Sequence, residues 1–174
     1  MGYRSLYILV EGNDDIRFFE KIIKPKLEEK YNSVEIKTWA VQENKVDSYI
    51  NSFNGMKADY FFVGDIDSSP CVTAKKQKIK SKHDIIDEDR IIVVIKEIES
   101  WYLAGLDEKK AKQLGIRNYV YPNTNTITKE QFNELIPRRF GSRIDFLLEI
   151  LKLFSAEIAK GRNESFRYFI DKCN

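Results

Sequence analysis

The chain has 174 residues, 43% of them hydrophobic and 32% charged, with a net charge of +2 at pH 7. That length suits one domain able to bury about two thirds of its unfolded surface, and the charge is too small to mark a nucleic-acid binder by itself. No run approaches the ~20 apolar residues of a membrane span, and the start lacks a signal-peptide layout. Cys71 and Cys173 lie far apart without metal-ligand spacing, so a reduced, cytoplasmic protein with no membrane association is expected.

Leu6 to Val10 is a short apolar run bounded by polar residues, the pattern of a strand buried on both faces of a parallel sheet. It ends in Glu11-Gly12-Asn13-Asp14-Asp15, where glycine permits a sharp turn and Asn13 or Asp14 can cap a helix. Ile16, Phe18, Phe19, Ile22, Ile23 and Leu27 follow at helical spacing, and Pro25 is expected to kink or end that helix, with residues 26–31 continuing separately. Val34 to Trp39 alternates as a second, more exposed strand, and residues 43–55 form a helix closed by Gly55. Residues 59–64 make a third strand ending in Asp65-Ile66-Asp67; residues 90–96 make a fourth ending in Glu97-Ile98-Glu99.

Strands alternating with helices predict an α/β fold: a right-handed, doubly wound parallel sheet of about four strands flanked by helices. Beyond Ala104 the pattern turns helical. Residues 107–114 end at Gly115, Thr128 caps a helix that Pro137 ends, Ser142 opens a longer one running through Ile158, and residues 163–169 make the last. The expected organisation is an α/β core over 1–105 and a helical cap over 106–174.

The chemistry points to the strand ends. In open α/β sheets ligands collect at the carboxyl edge. Glu11 sits there after the first strand, and Asp65 and Asp67, two residues apart, follow the third; an extended chain would aim both to one side. Clustered carboxylates repel and raise one another's pKa, so a cation is expected among them. Mg²⁺ suits an all-oxygen set completed by water and phosphate. Asp15, in the first helical turn, and Glu97 and Glu99, beyond the fourth strand, are the additional candidate ligands. Relief of that repulsion predicts that Asp65→Asn or Asp67→Asn would melt no lower than wild type without metal.

Val10-Glu11-Gly12-Asn13-Asp14-Asp15 resembles the first TOPRIM motif, and Gly64-Asp65-Ile66-Asp67 resembles the second, Asp-x-Asp. Over residues 4 to about 105 the order and spacing look like a small stand-alone TOPRIM-like protein, related to overcoming-lysogenization-defect nucleases and ribosomal-RNA-maturing nucleases. The resemblance implies a Mg²⁺- or Mn²⁺-dependent nuclease cutting DNA or RNA, with Glu11, Asp65 and Asp67 as catalytic residues. The alternative within the same superfamily is a non-catalytic nucleic-acid-binding or assembly module, working with a protein partner or as a homo-oligomer. A haloacid-dehalogenase-like phosphatase is disfavoured, because that family places its Asp-x-Asp motif on the first strand.

Lys75, Lys76, Lys78, Lys80 and Lys82, with His83, form a basic run beside the third strand. It reads equally as a solvated helix face and as a phosphate-facing arm. Arg138, Arg139, Arg143, Arg162 and Arg167 could line a nucleic-acid channel, and the lone His83 has no nucleophile partner in view.

Overall fold

The computed structural model describes residues 2–117, 119 and 121–174, and the chain divides into two compact units, Met1–Val94 and Ile95–Asn174. The first unit is a doubly wound α/β fold. Its strands are β1 (Ser5–Val10), β2 (Ser33–Thr38), β3 (Asp59–Asp65) and β4 (Ile91–Val94), in the order β2-β1-β3-β4 with every pair parallel. The path goes from β1 outward to β2 and then back across β1 to β3. Right-handed crossovers of opposite direction put the first helical segment and the later ones on opposite faces. The reversal lies between β1 and β3.

Buried apolar residues fill the strands: Leu6, Ile8, Leu9 and Val10 of β1, Phe62 and Val63 of β3, and all four residues of β4. Each such side chain, fully buried, contributes about 1.5–3 kcal/mol. On one face, Val46, Ile50 and Phe53 of α3 (Val46–Gly55) and Ile79 of α4 (Val72–Lys82) pack with Leu9, Tyr60, Phe62, Ile91 and Val93. Tyr7 stacks on Phe53 with ring centroids 4.1 Å apart. The outer strand, β2, is only partly buried and carries a Glu35–Lys37 ion pair of 3.2 Å.

Pro25 lies inside a short helical element and does not divide the first helix from a separate one over 26–31. The helical run passes from α1 (Asn13–Phe18) through a π-turn (Phe19–Ile23) into α2 (Lys24–Leu27). Pro25 sits at the start of α2, where its missing N–H does least harm, and the widened turn precedes it. No separate helix follows: α2 ends at Leu27. Helix α3 runs through Gly55, and the left-handed residue beyond it is Lys57, at φ +54°.

The second unit is helical: α5 (Ile98–Ala104), α6 (Glu108–Leu114), α7 (Lys129–Glu134), α8 (Arg143–Leu153), α9 (Ala156–Arg162) and α10 (Glu164–Cys173). Caps set its boundaries. Asp107 caps α6 and Gly115, at φ +84°, ends it; Thr128, Ser142 and Asn163 cap α7, α8 and α10. The expected single helix through Ile158 is two, because Ser155 caps α9 and its N–H donates to the Gly105 carbonyl at 3.0 Å. Trp101 and Tyr102 are wholly buried, and the Trp101 indole donates to Ser165 Oγ at 2.8 Å. Among the described residues, no helix is long and apolar enough to cross a membrane.

Candidate acidic site at the carboxyl edge

Glu11 follows the last residue of β1 and Asp65 ends β3, the two strands that flank the reversal in the winding. The Asp65 backbone N–H donates to Glu11 Oε2 at 3.3 Å, so the glutamate reaches across from one strand end to the other. Both residues are half-buried. Trp39, immediately after β2, closes the same edge: its indole N–H donates to the Val63 carbonyl at 2.8 Å and its ring stacks on Phe62 at 5.0 Å. A Cβ on Gly64 would face Trp39 and the Lys75 stem at ordinary contact distances.

Asp67 departs from the expected extended geometry. The Ile66 N–H still pairs with the Val94 carbonyl at 2.9 Å, but Asp67 takes a left-handed backbone at φ +50°. The alternation that would aim Asp65 and Asp67 together is therefore lost at the second residue. The Asp67 carboxylate forms an ion pair with Lys75, which is 6% exposed. The sequence places Lys75 in a basic run but does not announce its burial against Asp67. Its signal was spacing: Lys75, Ile79 and His83 recur every four residues along α4 and its cap, and all three are buried.

The remaining candidates have identifiable partners. Asp15 is buried, and its Oδ2 accepts from the Gly12 N–H at 3.2 Å, closing the turn of its own helix. In the second unit, Glu97 accepts from the Lys129 N–H and occupies the capping position of α5. The neighbouring Glu99 is buried and ion-paired with Arg143, whose Nε donates to Asn133 Oδ1 at 2.9 Å. Burial pushes the Glu99 carboxyl above the usual range, against the opposing pull of Arg143. Among the described residues, no three His, Cys, Asp or Glu side chains converge closely enough to hold a metal ion. The donors at the edge, Glu11 and Asp65 with Asp67 nearby in sequence, are all oxygens, which fits Mg²⁺ or Mn²⁺ and not Zn²⁺.

The basic run is mainly occupied in holding its own surroundings. Lys80 Nζ donates to the Ile86 carbonyl at 2.7 Å, Lys76 to the Glu88 carbonyl at 3.2 Å, and Lys82 pairs with Glu43 at 2.9 Å. Lys78 makes no ion pair among the described residues. His83 is structural in the manner of a lone histidine, with Nδ1 2.7 Å from Asp47 Oδ1. Of the arginines proposed for a channel, three make internal contacts. Arg143 holds Glu99, Arg139 donates to the Gln113 carbonyl at 3.1 Å, and Arg162 donates to the Leu106 carbonyl.

The fold and this edge define a class, the doubly wound α/β proteins with acids at the switch between two central strands. Compared with models of known families, with curated proteins and with solved structures, the chain shows no match.

Proposed function

We propose that this edge is the centre of a metal-dependent nuclease, hydrolysing phosphodiester bonds of DNA or RNA with Glu11, Asp65 and Asp67 as its acids. The observation that carries the reading is the 3.3 Å hydrogen bond from the Asp65 N–H to Glu11, which brings two acidic strand ends side by side at the switch point. The likeness of both motifs to TOPRIM supports the same assignment.

Glu11 and Asp65 would hold the Mg²⁺ or Mn²⁺ ion, with Asp67 joining as its ion pair with Lys75 opens. Bound there, such an ion lowers the pKa of an attacking water and stabilises charge developing on the phosphoryl oxygens. The backbone N–H of Asp65 holds Glu11 in place, so that carboxylate needs little reorganisation to act. The half-buried setting of Glu11 and Asp65 strengthens their interaction with a cation, relative to the same groups in water.

The test is incubation of purified protein with DNA and with RNA in Mg²⁺ and in Mn²⁺. Cleavage that disappears in both Glu11→Ala and Asp65→Ala supports the assignment; cleavage that persists in either places the activity elsewhere. One observation favours a second reading, the non-catalytic nucleic-acid-binding module: Lys75 already neutralises Asp67, as in a site that needs no metal. Tight nucleic-acid binding without cleavage in either ion would select it.

A further inference from the structure

On the α4 side of Asp67 the first unit contains a cavity of about 100 Å³, and Asp67 itself forms part of its wall. Trp39 and Phe62 line it together with Lys75, Lys78, Lys82 and His83. The three lysines recur at i, i+3 and i+7 along α4, which sets them on one helical face. Ile79, Glu43 and Asp67 complete the lining, so three ammonium groups meet two carboxylates and the cavity is net positive. Lys75 is paired to Asp67 and Lys82 to Glu43, which leaves the Lys78 ammonium as the lining cation without an ion pair among the described residues. At ~30 Å³ per water the volume equals about three waters, room for one small tetrahedral anion. Aromatic walls reduce the local dielectric and strengthen any charge pairing inside.

We propose that this cavity binds a single phosphate group, and that Lys75 couples it to the acidic edge. Lys75 has one ammonium and two claimants, the Asp67 carboxylate and an anion in the cavity. A divalent cation that takes Asp67 frees the ammonium for the anion, so cation and phosphate each tighten the other's binding, as linkage requires. The anion site stands on the cavity alone; the coupling rests on the proposed role of Asp67 as a metal ligand.

Inorganic phosphate, titrated into the full chain at constant ionic strength and followed by calorimetry or ³¹P line width, tests both parts. Wild type is expected to saturate, Lys78→Ala to bind at least about tenfold more weakly, the worth of one charge-assisted hydrogen bond, and Lys78→Glu not to bind. Lys109→Ala, an exposed lysine of the second unit, serves as the control and is expected to match wild type. Lys78 is itself exposed, so its variants should keep the wild-type melting temperature. Absence of saturable binding in wild type, or equal binding by Lys78→Glu, overturns the site.

Two further arms separate the sources and the two readings. A 5′-phosphorylated oligonucleotide that displaces phosphate better than its unphosphorylated twin identifies a terminal phosphate of nucleic acid as the occupant. Equal displacement by both identifies an internal phosphodiester, and no displacement by either identifies the free anion. Phosphate binding that Mg²⁺ tightens in wild type but not in Asp67→Asn supports the coupling. Binding that is lost in Lys78→Glu yet indifferent to Mg²⁺ leaves the cavity a phosphate site and overturns its link to the acidic edge.

Discussion

Lys75 holds Asp67 across the turn between β3 and α4, with the lysine side chain 7% exposed and the aspartate side chain 50% exposed. The pair is lopsided: the anion could be satisfied by water, the cation could not. That asymmetry reverses the expectation of electrostatic relief at one of the two aspartates. Asp67→Asn should lower the stability of the metal-free protein by roughly 1–3 kcal/mol, because it leaves a buried ammonium without its counter-charge. Urea melts without divalent ions will show it. Asp65→Asn, which removes a negative charge at the end of β3 and keeps the backbone N–H that Glu11 accepts, should melt at or above the wild-type temperature.

Divalent ions provide the second measurement. Binding to the folded state alone raises stability by about 2.7 kcal/mol at a hundred times the dissociation constant. Mg²⁺ or Mn²⁺ should therefore raise the melting temperature of wild type, and the rise should vanish in Glu11→Ala and Asp65→Ala. A shift retained in both variants would remove these residues from the metal site.

Tyr119 gives an alkaline signature. Its hydroxyl donates to the Leu103 carbonyl at 2.5 Å, with the Leu106 carbonyl at 3.2 Å, and burial pushes its pKa up to about 12, against the pull of Arg162. Between the ordinary tyrosine value of about 10 and that raised value, the folded chain keeps a proton that the unfolded chain releases. This contribution to stability is fully present below pH ~10 and is lost as pH rises through the folded pKa. Tyr119→Phe should cost about 1 kcal/mol at neutral pH for the lost hydrogen bonding. It should also flatten the decline seen in denaturant melts between pH 9 and about 12.

Gly105 carries no unusual backbone angle, yet it has no room for a side chain. A Cβ there would lie 2.2 Å from a ring carbon of Phe154. Gly105→Ala should cost about 1–3 kcal/mol through overpacking. Adding Phe154→Leu should return part of that loss, since the two sites share one space and their effects will not add. Strict additivity in thermal melts would rule the contact out as the cause.

The strands were legible because burial on both faces leaves an unbroken apolar run, and Leu6 to Val10 and Ile91 to Val94 read that way without help from tertiary structure. Thr128, Ser142 and Asn163 were legible as boundaries because a cap acts on N–H groups two or three residues away. What escaped was chemistry joined over distance. The Asn163 amide donates to Ser100 Oγ at 3.2 Å and to Thr124 Oγ1 at 3.1 Å, and no periodicity announces such a network. The Lys75–Asp67 pair escaped for a related reason: composition left that lysine in a basic run open to two readings, a solvated face or a phosphate-facing arm, while its position on the helix face buried it against Asp67. The break between α8 and α9 depends on the Gly105 carbonyl fifty residues upstream of Ser155, which no local window contains. At the acidic edge, the residue types and their strand ends were visible; the left-handed turn at Asp67 was not.

The outer edge of β2 bears on how this protein behaves in company. An edge strand offers unpaired backbone groups to any other extended chain, and long apolar edges invite self-association. Here the exposed strand carries Glu35 and Lys37 in one ion pair, so a second copy approaching edge to edge would have to strip water from opposite charges before its first ladder bond formed. Exchanging both for valine would preserve the parallel pairing with β1 while turning a guarded margin into a template for fibrils, visible as concentration-dependent thioflavin fluorescence.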